Sequence, residues 1–298
     1  MSGEQQDVSY LLELLGGEGI PAGPGDDAAL VSTEGEILVT TDPVVEGIHF
    51  EAGSSPTRIG RKLVNRNFSD LAAMGAWPTS IVVSFCFGPS WQRASRRRLY
   101  RSVKAAAEKY QARWVGGDLA AVRGPSVFTL AAIGRPPRGK ARVVTRAGLR
   151  PEDLLFVTGP LGGSSIGTRH MDFEPRLEWG RRLAERHAPS AMIDVSDGLA
   201  LDLARLLEAS GGLGARLLAE RIPLHPARTL ARALCEGEDY ELLFALPEAR
   251  SRGLGEDPCL PARARTPIGR VEAEPGIRLQ WKDREETIPA HGYSHDLP

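Results

Sequence analysis

The feature that most constrains this chain is the repeated change between strand-like and helix-like segments. TSIVVSFCFG is rich in β-branched and aromatic residues, whereas SWQRASRRRLYRSVKAAAEKYQA has apolar residues at helical spacing. In the first half of the sequence such segments follow the order strand, helix, strand, helix, strand. This alternation is typical of proteins in which helices pack on a β-sheet.

A stretch rich in proline, glycine and arginine, RPPRGKARVVTRAGLRPED, interrupts the alternation after residue 134. Such composition is typical of a boundary between domains. The alternation then restarts with the strand-like DLLFVTG. We therefore predict an α/β (α+β) fold of two similar-sized mixed α/β domains, covering residues 1–137 and 138–298.

Charge and cysteine content argue against several classes of protein. The net charge of −1 gives no basic footprint for nucleic acid. The three cysteines are scattered, so neither a disulfide framework nor a zinc site is predicted. The N-terminal MSGEQQDVSY does not have the pattern of a signal peptide, and no apolar stretch reaches the ~18–20 residues of a membrane helix. We expect a water-soluble cytoplasmic protein with neither nucleic acid nor a membrane as partner.

Carboxylates recur at the ends of the predicted elements. The six stretches are GDDAA, TTDPVVEGIHF, NFSDLAAMGA, GGD, IDVSDG and GEDYEL. Element ends of α/β domains tend to meet at one edge of a sheet, where ligands bind. A site that collects these stretches would hold more carboxylates than could ionise together unaided. Mg²⁺ takes oxygen ligands and is often held by a few carboxylates and substrate phosphates, so the pattern indicates a magnesium site.

Each stretch also has a structural interpretation. Asp26 is typical of a turn, Asp70 of a solvated helix position, and Asp194 and Asp197 of helix caps. His49 alone is typical of a structural histidine. Two stretches without acids leave the same choice open. The Gly-rich TGPLGGSSIG, which we predict to open a helix, fits either an anion-binding loop or a plain turn, and it lacks the P-loop lysine. Arg146 fits either a phosphate clamp or a solvated linker residue.

Taken together, the motifs resemble those of the thiamine-monophosphate kinases. GDDAALV, TTDPVVEGIHF, NFSDLAAMGA, GGD, VVTRAGLRPEDLLFVTG, IDVSDGLALDL and GEDYELLFA occur in the order found in that family. The family belongs to an ATP-binding superfamily with aminoimidazole ribonucleotide synthetase and selenophosphate synthetase. The resemblance implies direct transfer of the γ-phosphoryl group of ATP to thiamine monophosphate, giving thiamine diphosphate. It also implies several Mg²⁺ ions.

The resemblance further implies roles for individual residues. Its metal ligands are Asp27, Thr40, Thr41, Asp42, Asp70, Asp118, Asp194 and Asp197. Asp42, Asp70, Asp118 and Asp197 among them are expected to be catalytic. Its ATP contacts are Gly117, Asp118, Arg146 and Ser196, and its contacts to thiamine monophosphate are His49, Glu238 and Tyr293. The N-terminal domain would bind metal and ATP and form a homodimer, and the C-terminal domain would cover the nucleotide.

Three positions depart from the pattern expected of the family. Leu119 follows GGD where a hydroxyl residue is usual, Pro43 follows the Thr-Thr-Asp stretch, and Glu236 adds a charge before GEDYEL. Leu119 and Glu236 bear on the choice of substrate, and two alternatives to the kinase remain. One is a superfamily member with another substrate, of the selenophosphate synthetase type, and the other is a non-catalytic scaffold that binds ATP and metal.

Overall fold

The computed structural model describes residue 10 and residues 13–14, 36–139, 141–226 and 228–293. The GDDAA stretch, with Asp26 and Asp27, lies outside these residues. The chain forms two compact units. The first contains the described residues up to 71 and residues 77–135, and the second contains residues 72–76 and the described residues from 136 to 293. The grouping of residues 72–76 with the second unit has no signal in the sequence.

Within residues 36–135, the first unit contains four strands and two helices. They are β1 (Leu38–Val45), α1 (Pro56–Ala73), β2 (Trp77–Phe87), α2 (Arg93–Lys109), β3 (Arg113–Ala121) and β4 (Val127–Arg135). The strands form one sheet in the order β1-β4-β2-β3, in which only β2 and β3 run parallel. The helix α2 provides the crossover between these parallel neighbours, as a parallel pair requires.

The core of the first unit follows from the predicted periodicities. Ile59, Leu63 and Phe68 on α1 are fully buried. On α2, Tyr100 is fully buried and its ring meets that of Phe85 on β2 at a centroid distance of 5.1 Å. The helices therefore cover the sheet with their apolar residues. The polar residues at the ends of the strands lie outside this core.

The second unit contains a larger, mostly antiparallel sheet. Its strands are β5 (Leu154–Val157), β6 (Ala191–Asp194), β7 (Gly214–Leu218), β8 (Leu242–Leu246), β9 (Gly269–Glu272), β10 (Gly276–Gln280) and β11 (Glu285–Ile288). Its helices are α3 (Leu177–Arg182), α4 (Leu199–Ala209), α5 (Leu230–Cys235) and α6 (Glu248–Gly255). The sheet order is β11-β10-β7-β9-β5-β8-β6, and only β7 and β10 are parallel neighbours.

The mixed α/β class is confirmed, and most predicted helices and strands are present. The prediction that LGGSSIG opens a helix is wrong. These residues form turns, in which Gly162 and Gly167 have φ angles of +74° and +55°. Such left-handed residues cannot continue a right-handed helix. None of the helices within the described ranges is long and apolar enough to cross a membrane.

Candidate active site

In the first unit, β1 and α1 bring three of the predicted site residues together. The hydroxyl Oγ1 of Thr40 donates a hydrogen bond of 2.6 Å to Oδ2 of Asp70. Asp42, two residues after Thr40 on β1, faces the same helix because side chains alternate along a strand. Its Oδ2 accepts from Nε of Arg66 at 3.0 Å, and a third of its side chain remains exposed. The predicted carboxylates Asp42 and Asp70 therefore lie on one side of β1.

Asn67 fixes the main chain at Asp42. Its Oδ1 accepts from the Asp42 N–H at 2.8 Å, and its Nδ2 donates to the Asp42 carbonyl at 3.2 Å. Asn67 is fully buried on α1, where it also donates to the Leu63 carbonyl. Sequence reasoning missed the roles of Arg66 and Asn67, although Asn67 is the first residue of NFSDLAAMGA and Arg66 directly precedes that stretch.

Thr41 lies on the other face of the strand. Its Oγ1 donates to the Leu130 carbonyl at 3.0 Å, so its hydroxyl is not grouped with Thr40 and Asp70. Nor is the side chain of Asp118 linked by a hydrogen bond to the other acids of the described first unit. Asp118 is exposed on β3, opposite Ser84 of β2.

Gly117 lies next to Asp118. The close packing of β3 against β2 explains why this residue is a glycine. A Cβ atom at this position would come within 1.9 Å of the Val83 carbonyl oxygen. A glycine is therefore required here by the approach of β3 to β2, whether or not a nucleotide binds.

His49 closes the turn that follows β1. Its Nδ1 accepts from the Val45 N–H at 3.1 Å, so a neutral ring carries its proton on Nε2. The His49 carbonyl accepts from the ammonium of Lys62 at 2.7 Å, and Lys62 is fully buried. The turn that presents His49 is thus held from within the unit.

In the second unit, backbone hydrogen bonds bring four predicted residues together. The Glu238 N–H donates to the Ser196 carbonyl at 2.7 Å, and the Tyr293 N–H donates to the Asp197 carbonyl at 2.9 Å. Gly237 permits this approach, since a Cβ there would lie 2.3 Å from the Ser196 carbonyl oxygen. The IDVSDG and GEDYEL stretches and residue 293 therefore form one layer of loops, which we call the loop layer (residues 195–198, 237–241 and 292–293).

Asp202 organises one part of the loop layer, and sequence reasoning missed it. This fully buried carboxylate lies in the first turn of α4, and its Oδ2 accepts from the N–H groups of residues 196, 197 and 198 at 3.0, 2.9 and 3.2 Å. Arg205 Nη1 bridges Asp202 Oδ1 at 2.7 Å and Asp197 Oδ2 at 2.5 Å. The preference for acidic residues in a first helical turn could have singled out Asp202.

The pKa of Asp202 is set by its burial and by the charged residues around it. Burial raises the pKa of Asp202 to about 7, and the charges of Asp194 and Asp197 also raise it. The hydrogen bond from the Asp197 N–H and the charge of Arg205 lower the pKa of Asp202. Asp194 itself is buried at the end of β6. The IDVSDG acids and Asp202 thus lie close enough to influence each other.

The GEDYEL stretch is held by two further buried carboxylates. Asp239 accepts from the N–H groups of Gly162 and Gly163 at 2.7 and 3.0 Å. Glu241 accepts two hydrogen bonds from Arg176, of 2.8 and 2.5 Å, and one from Thr158 of 2.7 Å. The anion at the Gly-rich loop is therefore the protein's own carboxylate. Burial raises the pKa of Asp239 to about 6, although the two amides oppose this.

The backbone of GEDYEL is unusual at two positions. Glu238 and Tyr240 have φ angles of +63° and +51°, a conformation that non-glycine residues rarely adopt. The ring of Tyr240 is stacked on that of Phe173 at a centroid distance of 3.8 Å. Strained residues are concentrated at functional sites, where the surrounding structure over-determines them. The strain at Glu238 is consistent with a functional role for this loop.

Arg146 is exposed in the segment between β4 and β5. The preceding residue, Thr145, accepts a backbone hydrogen bond from Met192 of β6 at 3.1 Å. This contact places Arg146 beside the strand that ends at Asp194.

The donor atoms of these residues suit magnesium. They are carboxylate and hydroxyl oxygens, the ligands that Mg²⁺ prefers, and Thr40 and Asp70 already bring two of them within 2.6 Å. In the described part of the chain, however, no three acidic, histidine or cysteine side chains converge closely enough to hold an ion.

Known proteins resemble this chain along most of its length. Residues 25–135 match the family model described as AIR synthase related protein, N-terminal domain. A thiamine-monophosphate kinase of Rhodopirellula baltica is 34% identical over 301 residues, which cover 93% of this chain and 92% of the relative.

Solved structures show the same fold. The structure of AaThiL complexed with AMPPCP and TMP has a TM-score of 0.72 and 27% identity, with 96% of each chain covered. The hydrogenase maturation protein HypE in complex with ATP has a TM-score of 0.80 over 97% of this chain and 95% of its own, with 17% identity. The second likeness is one of fold alone.

Proposed function

Since the chain belongs to the thiamine-monophosphate kinase family, we propose that it transfers the γ-phosphoryl group of ATP to thiamine monophosphate. The product is thiamine diphosphate, and the reaction takes place in the cytoplasm. The observation that carries this proposal is the 34% identity to a thiamine-monophosphate kinase over 93% of the chain. The AaThiL complex with AMPPCP and TMP, an ATP analogue and the acceptor, supports both substrates.

Magnesium is part of the proposal. The residues that would hold it are Asp27, Thr40, Thr41, Asp42, Asp70, Asp118, Asp194 and Asp197. Bound Mg²⁺ would neutralise the phosphates and hold acceptor and donor in line for transfer. The oxygen donors paired at Thr40 and Asp70 support this assignment, as does Asp42, whose side chain is one-third exposed.

The chain's own residues would position these groups. The hydrogen bond from Thr40 orients Asp70, and Asn67 fixes the backbone of Asp42. Asp202 holds the loop of Ser196 and Asp197 by three amides. The acceptor is a phosphate that is already ionised near neutral pH, so the reaction requires no strong general base. Positioning and electrostatics are then the main contributions to the rate.

We propose the contacts to the substrates from the same family resemblance. Gly117, Asp118, Arg146 and Ser196 contact ATP, and His49, Glu238 and Tyr293 contact thiamine monophosphate. The loop layer supports this grouping, because it joins Ser196, Glu238 and residue 293 through backbone hydrogen bonds. For His49, a proton on Nε2 suits donation to a phosphate oxygen.

We also propose a homodimer formed by the first unit. Its support is the apolar character of β1, an edge strand of the described sheet, where Val39 is 64% exposed. Ile37, just before it, is 45% exposed. Exposed apolar edges are commonly covered by another chain. Sedimentation velocity distinguishes a dimer from a monomer directly.

The experiment that tests the function combines the protein with ATP, thiamine monophosphate and millimolar Mg²⁺, and measures thiamine diphosphate. One control contains EDTA and another has free thiamine as the only acceptor. We expect the diphosphate only with the monophosphate and Mg²⁺. ATP binding without any diphosphate would instead favour the scaffold alternative. Turnover with a different phosphorylated acceptor alone would make Leu119 and Glu236 the first positions to exchange.

A further inference from the structure

One face of α2 carries four arginines around an open cavity. Arg93, Arg97, Arg98 and Arg101 line this cavity together with Ala94, and its volume is about 520 Å³. Their spacing of i, i+4, i+5 and i+8 places the four side chains on one side of the helix. The buried residues of α2, such as Leu99 and Tyr100, lie on the other side. We call the four arginines the arginine face.

Among the described residues, no carboxylate balances the charges of the arginine face. None of the four arginines forms an ion pair with a carboxylate of the described residues, and Arg98 has only a 3.4 Å contact to the Ser95 hydroxyl. Arg93 and Arg97, and likewise Arg97 and Arg101, are like charges at i, i+4, a spacing that destabilises a helix. They also lie in the N-terminal half of α2, where the helix dipole disfavours cations. A bound anion would relieve all of these repulsions.

Arg97 is held in place for such a role. Its guanidinium carbon lies 4.7 Å from the centroid of the Tyr10 ring, and the residue is half-buried. Its Nε is buried and has no hydrogen-bond partner among the described residues. A guanidinium stacked on an aromatic ring loses less conformational freedom when it binds a ligand.

We propose that the arginine face binds a chain of phosphates. Guanidinium groups bind phosphate oxygens through two parallel hydrogen bonds, which suits Arg better than Lys. The cavity volume is in the range of small-molecule sites. The ligand class is a small polyphosphate anion, either inorganic or part of a nucleotide. The arginine face contains none of the residues assigned to the kinase reaction, so this site does not depend on the proposed function.

Calorimetric titration of the full-length protein with inorganic tripolyphosphate tests the proposal. The buffer contains EDTA and low salt, so that metal-dependent binding elsewhere is suppressed. We expect one bound tripolyphosphate per chain and at least tenfold weaker binding for Arg97→Gln/Arg101→Gln. The control Arg186→Gln/Arg252→Gln removes the same charge from exposed positions of the second unit and should bind as the parent does. Absence of binding at millimolar ligand, or equal binding by both double variants, overturns the proposal.

Further arms separate the possible ligands and sites. ATP in EDTA tests whether a nucleoside is tolerated, and a higher affinity than that of tripolyphosphate identifies the nucleotide as the ligand. Hexaglutamate that binds as tightly as tripolyphosphate would show a site for acidic peptides and overturn the phosphate assignment. Asp42→Asn should leave tripolyphosphate binding unchanged, and a changed affinity there would move the binding to the candidate active site. Arg97→Lys/Arg101→Lys keeps the charge, and we expect intermediate affinity because the forked donors are lost.

Discussion

Each unit contains an aspartate bound by an arginine, and the two pairs differ in how completely the carboxylate is used. Asp42 accepts one hydrogen bond from Arg66 at 3.0 Å and keeps 32% of its side chain exposed. Asp257 accepts from Arg182 at 2.8 and 2.6 Å, from His187 at 2.7 Å and from a backbone N–H at 3.0 Å. Its side chain is only 3% exposed.

The difference separates a carboxylate that stabilises the fold from one that can still take a ligand. The hydrogen bond from Arg182 holds the pKa of Asp257 well below its usual range. Its oxygens are occupied by fixed partners, whereas the Asp42 side chain remains partly exposed. Burial and an ion pair alone are therefore no sign of function. The accessible surface that remains on the carboxylate is the better guide.

The largest expected effect comes from Asp42→Asn. If Asp42 holds magnesium, the variant should lose about a thousandfold in kcat, or ~4 kcal/mol of transition-state stabilisation. Its unfolding free energy should change by less than ~1 kcal/mol, since the pair with Arg66 is partly exposed. Steady-state kinetics and urea unfolding measure both. Glu108→Gln, which removes an exposed carboxylate of the same unit, serves as the control, and an unchanged kcat for Asp42→Asn rules out the metal role.

Asp202→Ala should lower both the stability and the kcat, because this carboxylate is fully buried and also holds the loop layer. Three N–H groups lose their acceptor, which should cost about 3 kcal/mol of unfolding free energy. The folded variant should also lose at least about tenfold in kcat, since Ser196 and Asp197 are no longer held. Glu208→Gln, an exposed change on the same helix, should affect neither quantity. Wild-type kcat in Asp202→Ala would show that the loop is held without this residue.

Asp257→Asn should affect stability alone. We expect a loss of about 2 kcal/mol in unfolding free energy, because Arg182 and His187 lose the charge that they bind. The kcat of the folded enzyme should stay within twofold of the parent. Urea unfolding at pH 7 measures the unfolding free energy, and the kinase assay measures kcat. Glu178→Gln, which breaks an exposed pair with Arg181, should cost less than ~0.5 kcal/mol.

The smallest effect is a pH dependence of opposite sign for Asp257 and Asp239. The pKa of Asp257 is lowered on folding, so its contribution to stability is present above pH ~4 and is lost as the pH falls further. The pKa of Asp239 is raised to about 6, so its contribution is full below pH ~4 and is lost as the pH rises toward 6. Between pH 5 and 6, wild type should lose about 1 kcal/mol relative to Asp239→Asn. A flat difference in urea unfolding across this range would contradict the raised pKa.

Local patterns in the sequence predict much of the first unit. The apolar spacing of α1 and α2 and the β-branched content of β2 are local signals, and the structure confirms these elements. The sequence also singles out the stretches that carry Asp42 and Asp70, because several acids stand at element ends, and the role of these residues as metal ligands stays a prediction.

Long-range partners explain what the sequence could not predict. Asp239 binds the amides of Gly162 and Gly163, 77 and 76 residues away, and no local pattern marks such a pair. The left-handed backbone at Glu238 and Tyr240 likewise depends on contacts with the IDVSDG loop. The predicted helix at LGGSSIG fails for the same reason, since a distant carboxylate takes the amides of this loop.

The carboxylate of Asp239 also limits how this protein can change during evolution. The Gly-rich loop has the glycines and the paired N–H groups from which a phosphate-binding loop could arise, but its amides are already occupied from inside. No substitution within the loop alone would open it to a ligand. Loss of Asp239 would have to come first, and it would loosen GEDYEL before any new ligand could compensate. An inhibitor whose phosphate is aimed at this loop meets the same competitor, which is always present at full occupancy because it is part of the chain.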